Sequence, residues 1–347
     1  MRALQVKQLA HPSLIPISTD VPDPKAKPGE VVVDIYSAAL NFFDILQAQG
    51  KYQIRPPLPF ILGAEFAGKI SPDSPIPPGC TLRHGDRVFG YAQGAFAEKV
   101  ALGWTSLVKL PDNMSFDQGA GLYFTWPTSY EALVGRANLK PGEWVLVTAS
   151  AGGVGLAAVQ LAKALGAKVI AAAGSSAKLD ISKQYGGADY GIDYTKPGWQ
   201  KEVLEITAGK GVDVIYDPVG IIRDCLKCIA WKGRAIVVGF AKGQIEELPA
   251  NLVLLKNISI VGIHWGAYKE FSDNEPSRHP VVWQALLDLF SSGRAKPVVY
   301  PKVYALEEVP QGLRDLEQRK TWGKVAVRIR SEGEGEGEGE GEVKARL

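Results

Sequence analysis

Before about residue 125, apolar and polar positions alternate in short runs broken by Pro and Gly. This period of two predicts strands over 2–6, 30–36, 65–70, 86–89 and 95–100, punctuated by turn clusters at 22–29 and 72–79. A β-rich barrel is expected for this half. From about 125 to 265 the rhythm changes, and apolar runs at 145–148, 168–173, 213–217, 234–239 and 258–262 alternate with helical segments. Such alternation predicts a parallel sheet covered on both faces. After 265, a helix around 281–290 and a strand over 323–329 leave that rhythm and are expected to return to the first domain. The expected division is 1–124 with 266–330, 125–265, and a tail over 331–347.

The run from Val145 to Gly155 ends an apolar strand in a glycine-rich turn that opens into a helix. Gly152, Gly153 and Gly155, with Ala151 and Val154 between and beside them, let backbone approach a pyrophosphate, which the helix N-terminus favours through unpaired N–H groups and its dipole. Val154, Ala158, Leu161 and Leu165 fall at helical spacing, and Gly166 supplies a stop. The strand over 168–173 follows at the distance a βαβ unit needs, so the turn predicts dinucleotide binding.

Composition narrows the class. The chain has 347 residues, 46% hydrophobic and 22% charged, as expected of a globular protein with room for two cores. No apolar run reaches the roughly 18 residues of a membrane span. Strand-like sequence starts at Arg2 with no signal or transit pattern ahead of it, so the cytoplasm is the expected location. Cys80, Cys225 and Cys228 do not make a disulfide framework, and the Cys225/Cys228 pair lies in a helical stretch as packing. The last 17 residues carry six Glu against one Lys and one Arg, so a net charge of +2 leaves +6 on the body. The Glu-Gly repeat from Glu332 to Glu342 buries nothing apolar and is expected to be disordered.

Several motifs recur in order: Asn41-Phe-Phe-Asp44, Gln49-Gly-Lys-Tyr52, Pro57-Leu-Pro59, Gly63-Ala-Glu65-Phe-Ala-Gly68, Gly85-Asp-Arg-Val88, Ala151-Gly-Gly-Val-Gly155 and Asp217-Pro-Val-Gly220. Together they resemble the zinc-free quinone oxidoreductases (zeta-crystallin-like) of the medium-chain dehydrogenase/reductase superfamily, over roughly residues 1–330. The resemblance implies an α/β fold in which a doubly wound Rossmann domain is inserted into a discontinuous GroES-like β-barrel catalytic domain. It also implies an active site in the cleft between them. Trp126-Pro127 and the tail are not hallmarks of that family.

A catalytic zinc needs three ligands from Cys, His and carboxylates, and this sequence supplies no such set. No cysteine occurs in the first 79 residues, and His11, His84, His264 and His279 are scattered. Where zinc-dependent relatives carry histidine after Gly63, this chain has Ala64. No metal is expected. Without a Lewis acid, conjugated acceptors are the accessible substrates, because the enolate or quinol anion spreads its own charge.

The second strand ends in Gly174-Ser175-Ser-Ala-Lys178, with no acidic residue to accept a ribose 2′-OH and repel a 2′-phosphate. NADPH is therefore the expected cofactor. By the resemblance, Lys178 and Tyr194 flank that phosphate, and Thr128 contacts the nicotinamide carboxamide, although Pro127 departs from the family pattern. Phe240 and Trp265 follow the fifth and sixth strands, at the carboxyl edge where open sheets bind ligands, and Lys324 is expected near the cofactor. Asn41, Asp44 and Tyr52 share the segment that the resemblance places at the chemistry. Tyr52 is expected to orient substrate or donate a proton. Asn41 is expected to fix the pocket or the cofactor ribose, and Asp44 to be catalytic or a helix cap. His264 reads as a core or rim residue.

The expected function is NADPH-dependent hydride transfer to a small quinone or enone. A 2-enoyl-thioester reductase is the alternative, with Lys51 and Arg55 available to a phosphate. A cofactor-linked RNA-binding or crystallin-like structural role is the reading from another class, but no basic run interleaved with aromatics supports nucleic acid. No membrane association is expected. The resemblance implies a homodimer joined through the last Rossmann strand, and the apolar run 258–263 supplies such an edge.

Overall fold

A computed structural model of the chain describes residues 1–268 and 278–331. The expected disordered tail lies, from Glu332 on, outside the described residues. The chain forms two compact units: Met1–Tyr123 with the described residues from Val299 on, and Phe124–Val298.

In the first unit, Glu30–Ala39 is the organising strand. Its first half pairs antiparallel with Lys99–Gly103, and its last three residues pair with Ala326–Arg328. On its other side lies Glu65–Ile70, followed outward by Arg87–Tyr91 and Leu107–Lys109. A register shift between Ile35 and Ser37 marks a bulge, which bends the strand and lets one strand serve several partners. Its alternating side chains send Val33 and Ile35 into a core with Leu4, Phe66, Phe96 and Tyr304.

The second unit holds a six-stranded parallel sheet. Its order is Tyr190–Asp193, Lys168–Ala173, Trp144–Val147, Val212–Asp217, Ile229–Val237, Ser259–Gly262. The order reverses between Trp144–Val147 and its neighbour Val212–Asp217, so the carboxyl ends of these strands form the switch point where open α/β sheets take ligands. Lys168–Ala173 is apolar beyond its first residue because helices cover both faces.

Two expectations change. The helix expected at 281–290 spans Arg278–Ser291 and belongs to the second unit, not the first. It buries Val282, Trp283, Leu286, Leu289 and Phe290, and Phe290 meets Trp126 edge-on at 4.8 Å. Gln160 then fixes the following chain, donating to Lys296 O at 2.9 Å and accepting from its N–H at 2.7 Å. The return to the first unit therefore comes at Val299.

The strand expected at 95–100 lies at Lys99–Gly103, because Ala95 and Phe96 donate instead to Gly63 O and Leu62 O. Cys225 and Cys228 lie, as expected, in a helical stretch, where Ile222–Cys225 tightens into a 3-10 turn over Leu226–Cys228. Burial holds both thiols well above the ordinary cysteine range, Cys228 at about 12, as packing residues.

Candidate active site

In the second unit, the Trp144–Val147 strand runs into Thr148, Ala149 at φ 45° and Ser150 before the helix Gly153–Ala164 begins. Gly152 is the N-cap and donates to Ala149 O at 2.9 Å, which closes the turn. A Cβ on Gly155 would strike the Ala149 carbonyl, so the glycine permits the close helix–strand approach. Ala151 is buried, and the first N–H groups of the helix, at Gly153 to Gly155, have no intrahelical acceptors. This cradle fits a pyrophosphate.

Ser129, which sequence reasoning did not single out, joins three parts of this turn. Its hydroxyl lies 2.8 Å from Thr125 O, 3.0 Å from Val154 O and 2.9 Å from Tyr216 Oη. It thus fixes the helix Thr125–Tyr130 against the glycine turn and leaves half-buried Thr128 one residue away. Proline at 127 is accommodated inside that helix, which widens into a π-helix over Glu131–Arg136.

Gly174 and Ser175 follow the second strand, Tyr194 follows the third, and Lys178 lies in the first turn of the next helix. Ser175 caps the helix Ser176–Gly186, accepting from the Lys178 N–H at 3.4 Å. Tyr194 donates its N–H to Ala173 O at 3.2 Å and sets its ring edge 3.8 Å from where a Cβ of Gly174 would lie. The nearest carboxylate in sequence, Asp193, is turned onto Thr195, whose N–H and hydroxyl reach it at 3.0 and 2.6 Å and hold its pKa below the usual range.

Buried Asp217 organises the neighbouring turn. It accepts from Thr148 Oγ1 at 2.5 Å and from the N–H groups of Val219, Gly220 and Ile221 at 3.0, 3.0 and 2.7 Å. Phe240, 41% exposed, leans over this turn, 3.2 Å from the position a Gly220 Cβ would take. Trp265 is 3% exposed, packed against His279 and Tyr268 at 4.3 and 5.2 Å. His264 beside it is exposed, a rim residue.

In the first unit, Asn41, Asp44 and Lys324 come together with Glu65. Asn41 is the N-cap of Phe42–Ala48, and Asp44 reaches back to accept from its N–H at 2.8 Å. Asn41 Nδ2 donates to Glu65 Oε1 at 2.9 Å and to Ala39 O at 3.4 Å. Lys324 Nζ forms an ion pair with Glu65 and donates to Asn41 Oδ1 at 2.9 Å and Leu40 O at 3.1 Å. Three acceptors use all three N–H groups of the ammonium. Lys324 thus holds Asn41 and Glu65 together, and the Asn41 amide is turned inward onto the same cluster.

Asp44 is fully buried, and burial, more than the counteracting Asn41 N–H and Lys324 charge, lifts its carboxyl to about 8. Burial thus favours its neutral form, and its contact with the Asn41 N–H is that of a helix cap. Tyr52 is half-buried, its ring stacked on Phe43 at 5.3 Å. Burial, with the charge of Asp44, pushes its phenol above the ordinary value and keeps it a proton donor. In the sequence Glu65 is part of the motif Gly63-Ala-Glu65-Phe-Ala-Gly68 and a charge inside an apolar run, but nothing there assigns it a partner.

These groups do not fit a zinc ion. Asn41 and Ala64 offer no ligand of the right kind, and the Lys324 ammonium already occupies the acceptors around Glu65. Among the described residues no three His, Cys, Asp or Glu side chains converge.

The chain matches two family models, the alcohol dehydrogenase GroES-like domain over residues 27–112 and the zinc-binding dehydrogenase over 153–277. It is 41% identical to the quinone oxidoreductase-like protein 2 homolog of Nematostella vectensis, across 86% of this chain and 81% of that protein. It is 34% identical to the acryloyl-coenzyme A reductase of Sulfurisphaera tokodaii, across 89% and 95% of the two chains. The Escherichia coli quinone oxidoreductase crystallised with NADPH superposes with a TM-score of 0.83 at 28% identity, across 95% and 100% of the chains.

Proposed function

We propose, from the premise that the chain belongs to the quinone oxidoreductase family of the medium-chain dehydrogenase/reductase superfamily, that it reduces quinones or other α,β-unsaturated carbonyl compounds with NADPH and without a metal. When bound, NADPH supplies the hydride. What supports the reading is that Gly174, Ser175 and Tyr194 lie at the ends of the second and third strands with Lys178 in the first turn of the helix that Ser175 caps, and that Asp193 is held on Thr195. Lys178 and the small hydroxyl group offer charge-assisted donors to a 2′-phosphate, whereas an acid there would repel it. Ala151 to Gly155 hold the pyrophosphate, while Thr128 and Phe240 orient the nicotinamide half.

The Lys324–Glu65–Asn41 cluster fixes the start of the helix Phe42–Ala48, on which Tyr52 rests through Phe43. Tyr52 hydrogen-bonds the oxygen that gains charge as the substrate accepts the hydride, and it needs no titration to do so. Relief of the carbonyl by conjugation replaces Lewis-acid assistance.

A second reading, reduction of a 2-enoyl thioester, is supported by the likeness to an acryloyl-coenzyme A reductase and by exposed Lys51 and Arg55 on the Tyr52 segment. Oxidation of NADPH at 340 nm with an ortho-quinone panel against crotonyl-coenzyme A separates the two. Turnover of the quinones alone supports the first reading; turnover of the thioester alone moves the function to the second.

The proposed assembly is a cytoplasmic homodimer. The edge strand Ser259–Gly262 and the helix Ala250–Lys256, with Leu254 and Leu255 79% and 67% exposed, offer the surface. Light scattering tests it.

A further inference from the structure

The glycine turn at the switch point is held by two separate sets of buried hydroxyl contacts. In the first, Ser150 Oγ lies 2.8 Å from Ser182 Oγ, and Ser182 donates to Lys178 O at 2.9 Å. This ties the turn to the helix Ser176–Gly186, which carries Lys178. In the second, Ser129 Oγ lies 2.9 Å from Tyr216 Oη and 3.0 Å from Val154 O. Ser129, Ser150, Ser182 and Tyr216 are all fully buried.

The acceptors fix the directions of the second set. Thr125 O and Val154 O only accept, so the Ser129 hydrogen goes to one of them, and the Tyr216 phenol gives its own hydrogen to Ser129 Oγ. Burial raises the phenol above its ordinary value, which keeps that hydrogen in place. The bond to Thr125 O, four residues back, is one that a serine makes within its own helix. The contacts with Val154 and Tyr216 reach outside it. They join Thr125–Tyr130 to the first turn of Gly153–Ala164 and to the strand whose register sets Tyr216 against Val147. A six-residue helix makes few backbone bonds of its own, so such outside contacts decide its seat. The glycine turn keeps its closure through the Gly152 N–H on Ala149 O and its tie to Ser182. Loss of the Ser129 hydroxyl therefore loosens the segment that carries Thr128 and spares the turn.

We propose that Ser129, seated by Tyr216, is a positioning residue for the nicotinamide half of NADPH: it sets Thr128 against the pyrophosphate turn, whereas the adenosine half is aligned independently through Ser150 and Ser182. The proposal rests on the NADPH-dependent reading above and assigns a separate buried group to each half of the cofactor.

The test is isothermal titration calorimetry of the full chain with NADPH and with 2′-phosphoadenosine 5′-diphosphoribose, which keeps the 2′-phosphate and pyrophosphate but lacks the nicotinamide. S129A should weaken NADPH about 10-fold and the fragment less than about twofold. S129A alone leaves the buried phenol without its acceptor; S129A/Y216F removes both hydroxyls, should fold with a smaller loss of stability, and should show the same split. S182A should move both ligands by one common factor. A folded S129A/Y216F chain that weakens both ligands equally, or neither, would overturn the proposal, as would the same split in S182A. An unaltered chain that binds neither ligand would remove the NADPH reading and the proposal with it, a result distinct from an unaltered chain that binds both and variants that show no split.

Discussion

Lys324 and Glu65, 259 residues apart in the chain, form an ion pair in which the Glu65 side chain is wholly buried and that of Lys324 is 10% exposed. Removing one partner leaves the other charge stranded, which costs about 3–5 kcal/mol, whereas removing both relieves much of it. K324M should therefore lower stability in urea by that amount, and K324M/E65Q should recover part of the loss. A double variant as unstable as the sum of the single ones would show that the pair has no coupling.

Asp44 makes a prediction of opposite sign. Its folded-state value of about 8 lies above the unfolded value near 3.9, so the folded chain holds an extra proton between them. The stability tied to that proton is complete below about pH 4 and is lost as pH rises through about 8. Measured as melting temperature against pH, D44N should gain on the unaltered chain across that window, by up to the order of 5 kcal/mol. Parallel curves would place the Asp44 carboxyl in water or in an ion pair.

For the cofactor, Lys178→Ala should raise KM for NADPH about tenfold or more, the worth of a charge-assisted hydrogen bond, and leave KM for NADH within about twofold. The comparison of the two cofactors is the readout. Equal changes would remove Lys178 from the 2′-phosphate.

Tyr52→Phe should reduce kcat about 100-fold, the lower range for a positioned proton donor, with NADPH affinity retained in a fluorescence titration. Because the phenol is pushed upward, the unaltered chain should show no loss of rate from Tyr52 between pH 6 and pH 9. Unchanged turnover in the phenylalanine variant would make Tyr52 an aromatic wall.

Strands whose pattern is set by their own burial were readable from sequence. Glu65–Ile70 and Lys168–Ala173 fall where the apolar runs put them, since covered faces require those residues. The glycine turn was legible because phosphate-binding geometry restricts residue type locally. What sequence did not show was long-range partnership. Nothing near Asn41 announces that its amide turns inward onto Glu65 and Lys324, and Ser129 shows no signal of its own. The helix Arg278–Ser291 was assigned to the wrong unit because amphipathic spacing shows that a face is buried, not against what.

Direct transfer of hydride is the central claim, and NADPH deuterated at C4 of the nicotinamide tests it most closely. With an enone acceptor, mass spectrometry of the product should find deuterium from one C4 face at the β-carbon. Consumption of NADPH with deuterium appearing only in water, or no consumption with any conjugated acceptor, would contradict it.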